Sequence, residues 1–193
     1  MVAEFTERAV GARPWHMTRY VFAPDESRLF VHASSSIHGI DTDADGVEGE
    51  LDLVLAADGT IDIDQPVVGR LSFPLSRLSS GNPLYDVETE RRIEVRKHPL
   101  VEAELTGLEP AGGADAGEDG GLTYRVSGNL TFHGVTQALE GELGFRADGD
   151  AVQIWGEQVL DVRAWDIKPP KLGLIKVHPD IRVRLEVTAH ASD

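Results

Sequence analysis

The stretch LTYRVSGNLTFHGVT, residues 122–136, decides the fold. Leu122, Tyr124, Val126, Gly128, Leu130 and Phe132 share one parity, while Thr123, Arg125, Ser127, Asn129 and Thr131 share the other. Successive side chains of a strand point to opposite faces, so this pattern is a strand with one face buried and one in water. It ends at His133-Gly134, a pair suited to a two-residue reversal, and alternation resumes beyond it. An antiparallel hairpin is the expectation.

The same period of two recurs along the chain. Val47, Gly49, Leu51, Leu53 and Leu55 form one face of VEGELDLVL, and Val67, Gly69, Leu71, Phe73 and Leu75 one face of VVGRLSFPL. In the last strand Ile181, Val183, Leu185 and Val187 alternate with Arg182, Arg184, Glu186 and Thr188. Shorter strands are expected near residues 18–22, 29–34, 100–106, 137–145 and 152–163, with turns at Asp58-Gly59 and Asp148-Gly149. Residues 109–121, EPAGGADAGEDGG, hold too few apolar groups to offset their ordering entropy and read as a mobile loop. One helix interrupts the strands: Asn82 caps it, Pro83 opens it and Pro99 lies beyond its end. Its thin apolar stripe is Leu84, Val87 and Val95, and Glu88 stands at helical spacing from Arg91 and Arg92.

Composition bounds the function. A chain of 193 residues with a net charge of -15 and a pI near 4.8 opposes attraction to phosphate backbones, so nucleic acid is not an expected partner. No apolar run is long enough to span a bilayer as a helix. The absence of cysteine rules out disulfides and thiolate chemistry and fits a reducing compartment, so a cytoplasmic location is expected. The expected organisation is an extension over residues 1–17, with no basic or apolar export signal, followed by one domain over 18–193.

Many half-buried antiparallel strands with a single helix must close on themselves or stack as two sheets. Gly49, Gly69, Gly128 and Gly141 all take the inward parity, where glycine serves a sharply bent wall or leaves room inside. A closed barrel with internal slack is therefore expected. Its lumen would be lined by Leu51 and Leu53, Leu71 and Phe73, Tyr124, Val126 and Leu130, Leu139 and Leu143, and Leu185. Such a wall suits a long apolar or amphiphilic molecule. Tyr124 and Gln137 are the visible polar exceptions, and neither a GxSxG elbow nor a phosphate-binding glycine loop occurs, so no catalytic residues, no enzyme activity and no cofactor are expected. The competing class is a filled barrel that serves as a protein-interaction module. Trp155, an aromatic at an outward position, or the basic loop at 165–180 is its candidate contact surface, and Trp155 is the candidate contact of a homodimer.

Three of the four lysines fall in WDIKPPKLGLIKVHPD, residues 165–180, around an apolar run. This segment is expected to fold over one barrel mouth, with Leu172 and Leu174 facing the ligand and Lys171, Lys176 and His178 facing a polar or anionic head group. The plain alternative is a hydrophobic plug with surface ion pairs. DTDADG, residues 41–46, spells the opening of a calcium loop with Asp41, Asp43 and Asp45, and Asp52 stands at the closing position. Its flanks read as strands, so an acidic hairpin loop is the favoured reading. The seven histidines show no metal-ligand spacing, and no metal is expected.

The order of these landmarks, with Tyr20, Pro24 and Ser27 before a strand, Gly49 within the next long one, residues 93–99 ahead of another, and VSGNLTFHGVT, resembles the YceI-like family. The resemblance runs from about residue 18 to the end. It implies a lipocalin-like antiparallel barrel that holds a long apolar molecule, often an isoprenoid or a fatty amide. The family's arginine and aromatic-glycine pattern near the penultimate strand is present only as Arg163, Trp165 and Asp166, without the glycine, which leaves the ligand's identity open.

Overall fold

The computed structural model describes residues 16–111, 121–169, 171–172 and 175–192; the side chains of residues 171, 172 and 175 are outside that description. The first fifteen residues of the expected extension and most of the expected mobile loop, 112–120, also lie outside the described residues. The strands are β1 (Thr18–Phe22), β2 (Arg28–Ser35), β3 (Gly39–Ala44), β4 (Glu48–Leu53), β5 (Val68–Pro74), β6 (Leu100–Pro110), β7 (Leu122–Phe132), β8 (Val135–Asp148), β9 (Ala151–Asp161), β10 (Lys171–Leu172) and β11 (Ile175–Ser192). Helix α1 (Pro83–Arg92) lies between β5 and β6. No helix among the described residues is long and apolar enough to cross a membrane.

The expected hairpin is present. β7 and β8 pair from Leu122–Phe145 to Phe132–Val135, and His133 and Gly134 both adopt positive φ, 51° and 77°, as the tight primed turn requires. Antiparallel pairing continues through β1, β4, β5, β6, β7, β8, β9 and β11, and β11 returns to β1 from Arg19–Ser192 to Phe22–Ala189. An eight-stranded ring therefore closes, which leaves these strands no free sheet edge around most of the circumference. β2 and β3 form a hairpin that continues the wall on the other stretch of β11.

β1 and β2 follow one line, broken by the turn Pro24–Glu26, and β3 and β4 follow the facing line, broken at 45–47. Ser27 holds this shared bend. Its fully buried Oγ donates to the Pro24 carbonyl at 2.6 Å and accepts from the Gly46 and Val47 amides at 3.1 and 2.9 Å. A small side chain that both donates and accepts is what two broken strands need where the ladder stops.

The interior is packed as two clusters. One is built on Val47, Leu53, Phe145 and Val152, with Tyr124 meeting Phe145 edge-on and its hydroxyl accepting from the Ile61 amide at 3.0 Å. The other is built on Leu75, Ile93, Val162, Trp165 and Ile167, and Trp165 donates from Nε1 to the Leu130 carbonyl at 3.2 Å. The segment 165–180 is thus anchored by its first apolar residues.

Helix α1 starts as expected, with Asn82 accepting from the Leu84 amide at 3.0 Å, and Glu88 meets Arg92 at 2.7 Å and Arg91 at 3.3 Å. Its expected inner stripe is corrected in part: Leu84 and Val87 are 65% and 64% exposed, whereas Val95 packs against the second cluster. The orientation follows polar bonds instead. Asp86 accepts from the Ser80 amide and hydroxyl at 2.8 and 2.6 Å and from the Ser79 hydroxyl at 3.0 Å, which turns Leu84 and Val87 outward. Burial pushes the Asp86 carboxyl up, but the bonds from Ser80 and Ser79 together outweigh it and hold the group below its ordinary value.

Replacing Ser27 by alanine leaves the buried Val47 amide without its acceptor, while the Gly46 amide keeps the Pro24 carbonyl at 3.0 Å, so unfolding in urea should show a loss of about 1–3 kcal/mol. Because the Asp86 carboxyl is lowered on folding, its contribution is complete above the unfolded value of about 3.9 and disappears as the pH falls through the folded value. Asp86→Asn should lower the melting temperature at neutral pH, and the gap to the parent chain should narrow below about pH 4.

Candidate functional site

Between the two packed ends lies a cavity of about 290 Å³. Leu71, Val126, Ile154 and Leu185 line it from the first cluster, and Leu130, Leu139 and Leu160 line it from the second. Gly69, Gly128, Gly141 and Gly156 occupy inward positions in its wall. At Gly141 a Cβ would meet only the end of Gln158, whereas at Gly128 and Gly156 the Glu104 carbonyl and the Leu143 side chain already approach to 2.7 and 2.5 Å of where a Cβ would stand. Arg70, Glu104, Glu140, Glu142 and Glu157 also border the space, but all are exposed and take the outward phase of their strands. Half-buried Ser127 and Asn129 border it from the outward phase of β7, so the inward wall is hydrocarbon and backbone apart from Gln158.

The cavity reaches a seam in the barrel. β8 and β9 pair from Asp148–Ala151 to Gly144–Trp155, and the ladder stops there. Residues 135–143 and 156–161 carry no partner across this seam, although β8 remains paired to β7 and β9 to β11. Continuing the register would set Glu142 opposite Glu157, a like-charge pair that weakens a ladder, and would spend Gly141 and Gly156 on positions with no side chain to pack. The edges nevertheless remain near each other: a Cβ on Gly141 would meet the Gln158 amide oxygen at 3.2 Å. Gln158 takes the inward phase yet is exposed, because it stands at the opening.

A family model described as the YceI-like domain matches residues 20–189. The chain belongs to the YceI-like domain family. Among solved structures, the YceI-like barrel is similar to BcnA of Burkholderia cenocepacia, with 10% identity and a TM-score of 0.69 over 86% of this chain and 98% of that one. It is also similar to a polyisoprenoid-binding domain from Saccharophagus degradans implicated in plant cell wall breakdown, with 13% identity and a TM-score of 0.66 over 92% and 100%. The Campylobacter jejuni YceI protein gives 11% identity and a TM-score of 0.61 over 82% and 88%. At these identities the likeness is one of fold. No curated protein sequence gives a significant match.

The sequence-derived lining divides within the YceI-like barrel. Leu51, Leu71, Val126, Leu130, Leu139, Leu143 and Leu185 border the cavity. Leu53, Phe73 and Tyr124 do not: they are buried in the first cluster, where alternation still points them inward but the barrel is packed across its width. Gly49 likewise serves close packing, since a Cβ there would come within 2.3 Å of the Arg70 carbonyl. Gly156, Gln158 and Leu160 escaped sequence reading because WGEQV breaks the alternation, although Val152, Ile154, Gly156 and Leu160 share one parity.

Two of the three head-group candidates, Lys176 and His178, do not border this cavity. His178 borders a second space of about 160 Å³ between α1 and β2, β3 and β11, whereas Lys176 is exposed and borders neither. The Leu174 residue and the side chains of Lys171 and Leu172 lie outside the described residues. Trp155 is not a bare surface aromatic: a Cβ on Gly144 or Gly121 would strike its indole at 2.1 or 2.2 Å, so the ring lies across both glycines.

The acidic motif is also resolved locally. Residues 41–44 belong to β3 instead of a hairpin loop, which puts Asp41 and Asp43 on one exposed face roughly 6.6 Å apart along the strand. Asp41 meets His32 at 2.6 Å and Asp45 meets Arg77 at 2.7 Å. Asp52 receives two 2.8 Å bonds from Arg19, which hold its carboxyl below its ordinary value. Extended backbone keeps these carboxylates from converging as a calcium loop would.

If like charge keeps the seam unpaired, Glu142→Thr should let the β8–β9 ladder extend. Amide exchange at residues 140–143 and 156–159 should slow relative to the parent chain, and unchanged exchange would assign the seam to another cause.

Proposed function

We propose that this YceI-like barrel binds one apolar molecule, or the apolar part of an amphiphile, and performs no chemistry on it. The carrying observation is the cavity itself: about 290 Å³ of space bounded by leucine, valine, isoleucine and inward glycine. Roughly 200 Å² of hydrocarbon buried there would contribute about 5 kcal/mol. The polyisoprenoid-binding function named for the Saccharophagus domain, together with the shared fold, supports a ligand of that character. Catalysis would need a titratable group in the wall, and the polar side chain in the inward phase at the opening is an amide, Gln158. A filled interaction module is disfavoured by the same space.

The seam is the entry route in this reading. Its rim carries Glu140, Glu142 and Glu157, with Arg182 already 3.4 Å from Glu157, and the whole chain is strongly acidic. An uncharged or cationic head group suits that rim better than an anionic one, which reverses the expectation drawn from the lysines of 165–180.

Native mass spectrometry of delipidated protein mixed with geranylgeraniol should show one molecule per chain, with geranylgeranyl phosphate bound more weakly. Gly141→Leu, whose new side chain would meet only the flexible end of Gln158 before entering the cavity, should reduce geranylgeraniol binding by at least about tenfold without unfolding the barrel. Equal binding by parent and Gly141→Leu would place the ligand elsewhere, and no binding by either would remove the proposal.

A further inference from the structure

At the other end of the molecule, two distant segments bring Glu94, His98 and His133 together. One ligand-competent atom from each lies within 4.8 Å of the other two. Glu94 Oε2 is 3.4 Å from His133 Nε2 and 4.0 Å from His98 Nε2, and the two imidazole rings are 5.1 Å apart between centroids. None of the three residues borders either cavity described above.

The His133 ring is oriented from behind. Its Nδ1 lies 3.0 Å from the Trp165 carbonyl, and a carbonyl only accepts, so Nδ1 carries the hydrogen. In the neutral ring Nε2 is then left with a lone pair, and it is buried with no hydrogen-bond partner among the described residues. The nearby Glu94 carboxylate satisfies distance but not hydrogen-bond geometry. An uncompensated buried acceptor is costly, whereas an imidazole fixed by a carbonyl on its far nitrogen is the usual state of a metal ligand.

The backbone converges on the same point. Among the described residues, the non-glycine positions at positive φ are Glu94 (48°), His133 (51°) and Asp166 (57°). Each carries a steric strain that glycine would avoid. Glu94 sits just past α1, where glycine is favoured, and the Val95 amide returns to the Glu90 carbonyl at 3.1 Å as a helix-ending motif does. The His98 amide then bonds the Glu94 carbonyl at 2.9 Å, a further turn that carries His98 to the side of Glu94. His133 is the first residue of the β7–β8 turn, and a Cβ on its neighbour Gly134 would meet the His98 ring at 2.6 Å. Asp166 directly follows Trp165, whose carbonyl orients His133.

We propose that Glu94, His98 and His133 form a site for a divalent transition ion, and that the ion is Zn²⁺. Two borderline imidazole nitrogens and one harder carboxylate oxygen make a donor set that zinc accepts, with a fourth position left for water. Ligand atoms about 2.0–2.2 Å from a tetrahedral ion stand about 3.3–3.6 Å from one another, so the observed 3.4 and 4.0 Å close with small side-chain shifts. The plain alternative, an ion pair of Glu94 with Lys97 at 3.4 Å beside two imidazoles tilted by 60°, uses a lysine that is 71% exposed and leaves His133 Nε2 without a hydrogen bond. The ion would tie the end of α1 to the β7–β8 turn and, through His133, to the turn at Trp165. Sequence spacing concealed the set because His98 and His133 belong to separate elements.

Chelator-treated full-length protein titrated calorimetrically with ZnCl₂ should bind one ion per chain at micromolar affinity or tighter. Co²⁺ in its place should give the visible absorption of a tetrahedral site. His98→Gln and His133→Asn, the latter chosen because asparagine tolerates positive φ, should each weaken binding by at least about 30-fold. Zn²⁺ should raise the melting temperature of the parent chain and leave that of the double variant unchanged. Glu94→Gln, at a half-exposed position, provides the same comparison if a histidine variant fails to fold. Absence of binding by the parent at about 100 μM ZnCl₂, or double-variant or Glu94→Gln affinity within threefold of the parent, would overturn the assignment.

Discussion

An inward strand position without a side chain withdraws packing from the barrel wall, and this protein concentrates such positions at one level. Gly69, Gly128, Gly141 and Gly156 lie between two interior clusters that fill the barrel across its width with rings and branched aliphatics. The clusters hold the walls apart at this level, and the space stays open beside Gly141, whereas at Gly128 and Gly156 the missing side chain admits the Glu104 carbonyl and the Leu143 side chain, which a Cβ would meet at 2.7 and 2.5 Å. The candidate binding site is thus a by-product of where the core was left unfilled, and its apolar character follows from the parity that closes the barrel.

The same glycines help explain why that space has an outlet. A ladder is worth keeping where cross-strand side chains pack, and past Gly144–Trp155 the continuing register would offer glycines and opposed glutamates. Strands β8 and β9 are each held firmly by their other neighbours, so losing their mutual pairing leaves the ring intact. The carboxylates that border the seam also set the charge that a head group would meet there.

The opposite end is governed by polar geometry. Asp86 fixes the facing of α1 through Ser79 and Ser80, and the chain leaves the helix through a left-handed Glu94 that lies against the histidine of the β7–β8 turn. Trp165 bridges these features, with its ring in the second cluster, its Nε1 on Leu130 and its carbonyl on His133. The proline-rich segment 165–180 begins as an anchor for this end, which accounts for its first apolar residues without any contact to the cavity.

Alternation by itself determined the antiparallel strands, the His133-Gly134 reversal, the inward glycines and seven of the cavity-lining residues, because parity on a strand is a local property of the backbone. Leu84 and Val87 face outward because helix facing depends on what Asp86 reaches, and Leu53, Phe73 and Tyr124 point inward but lie off the cavity because inward parity does not say at which level a barrel is full. Gly156 was hidden by a strand whose pattern is interrupted by Trp155. Only the tertiary structure decided where the lumen stays open, where β8 and β9 part, and that Glu94, His98 and His133 meet. Those outcomes depend on registers and approaches between residues far apart in the chain, and no periodicity within one segment encodes a distance to another.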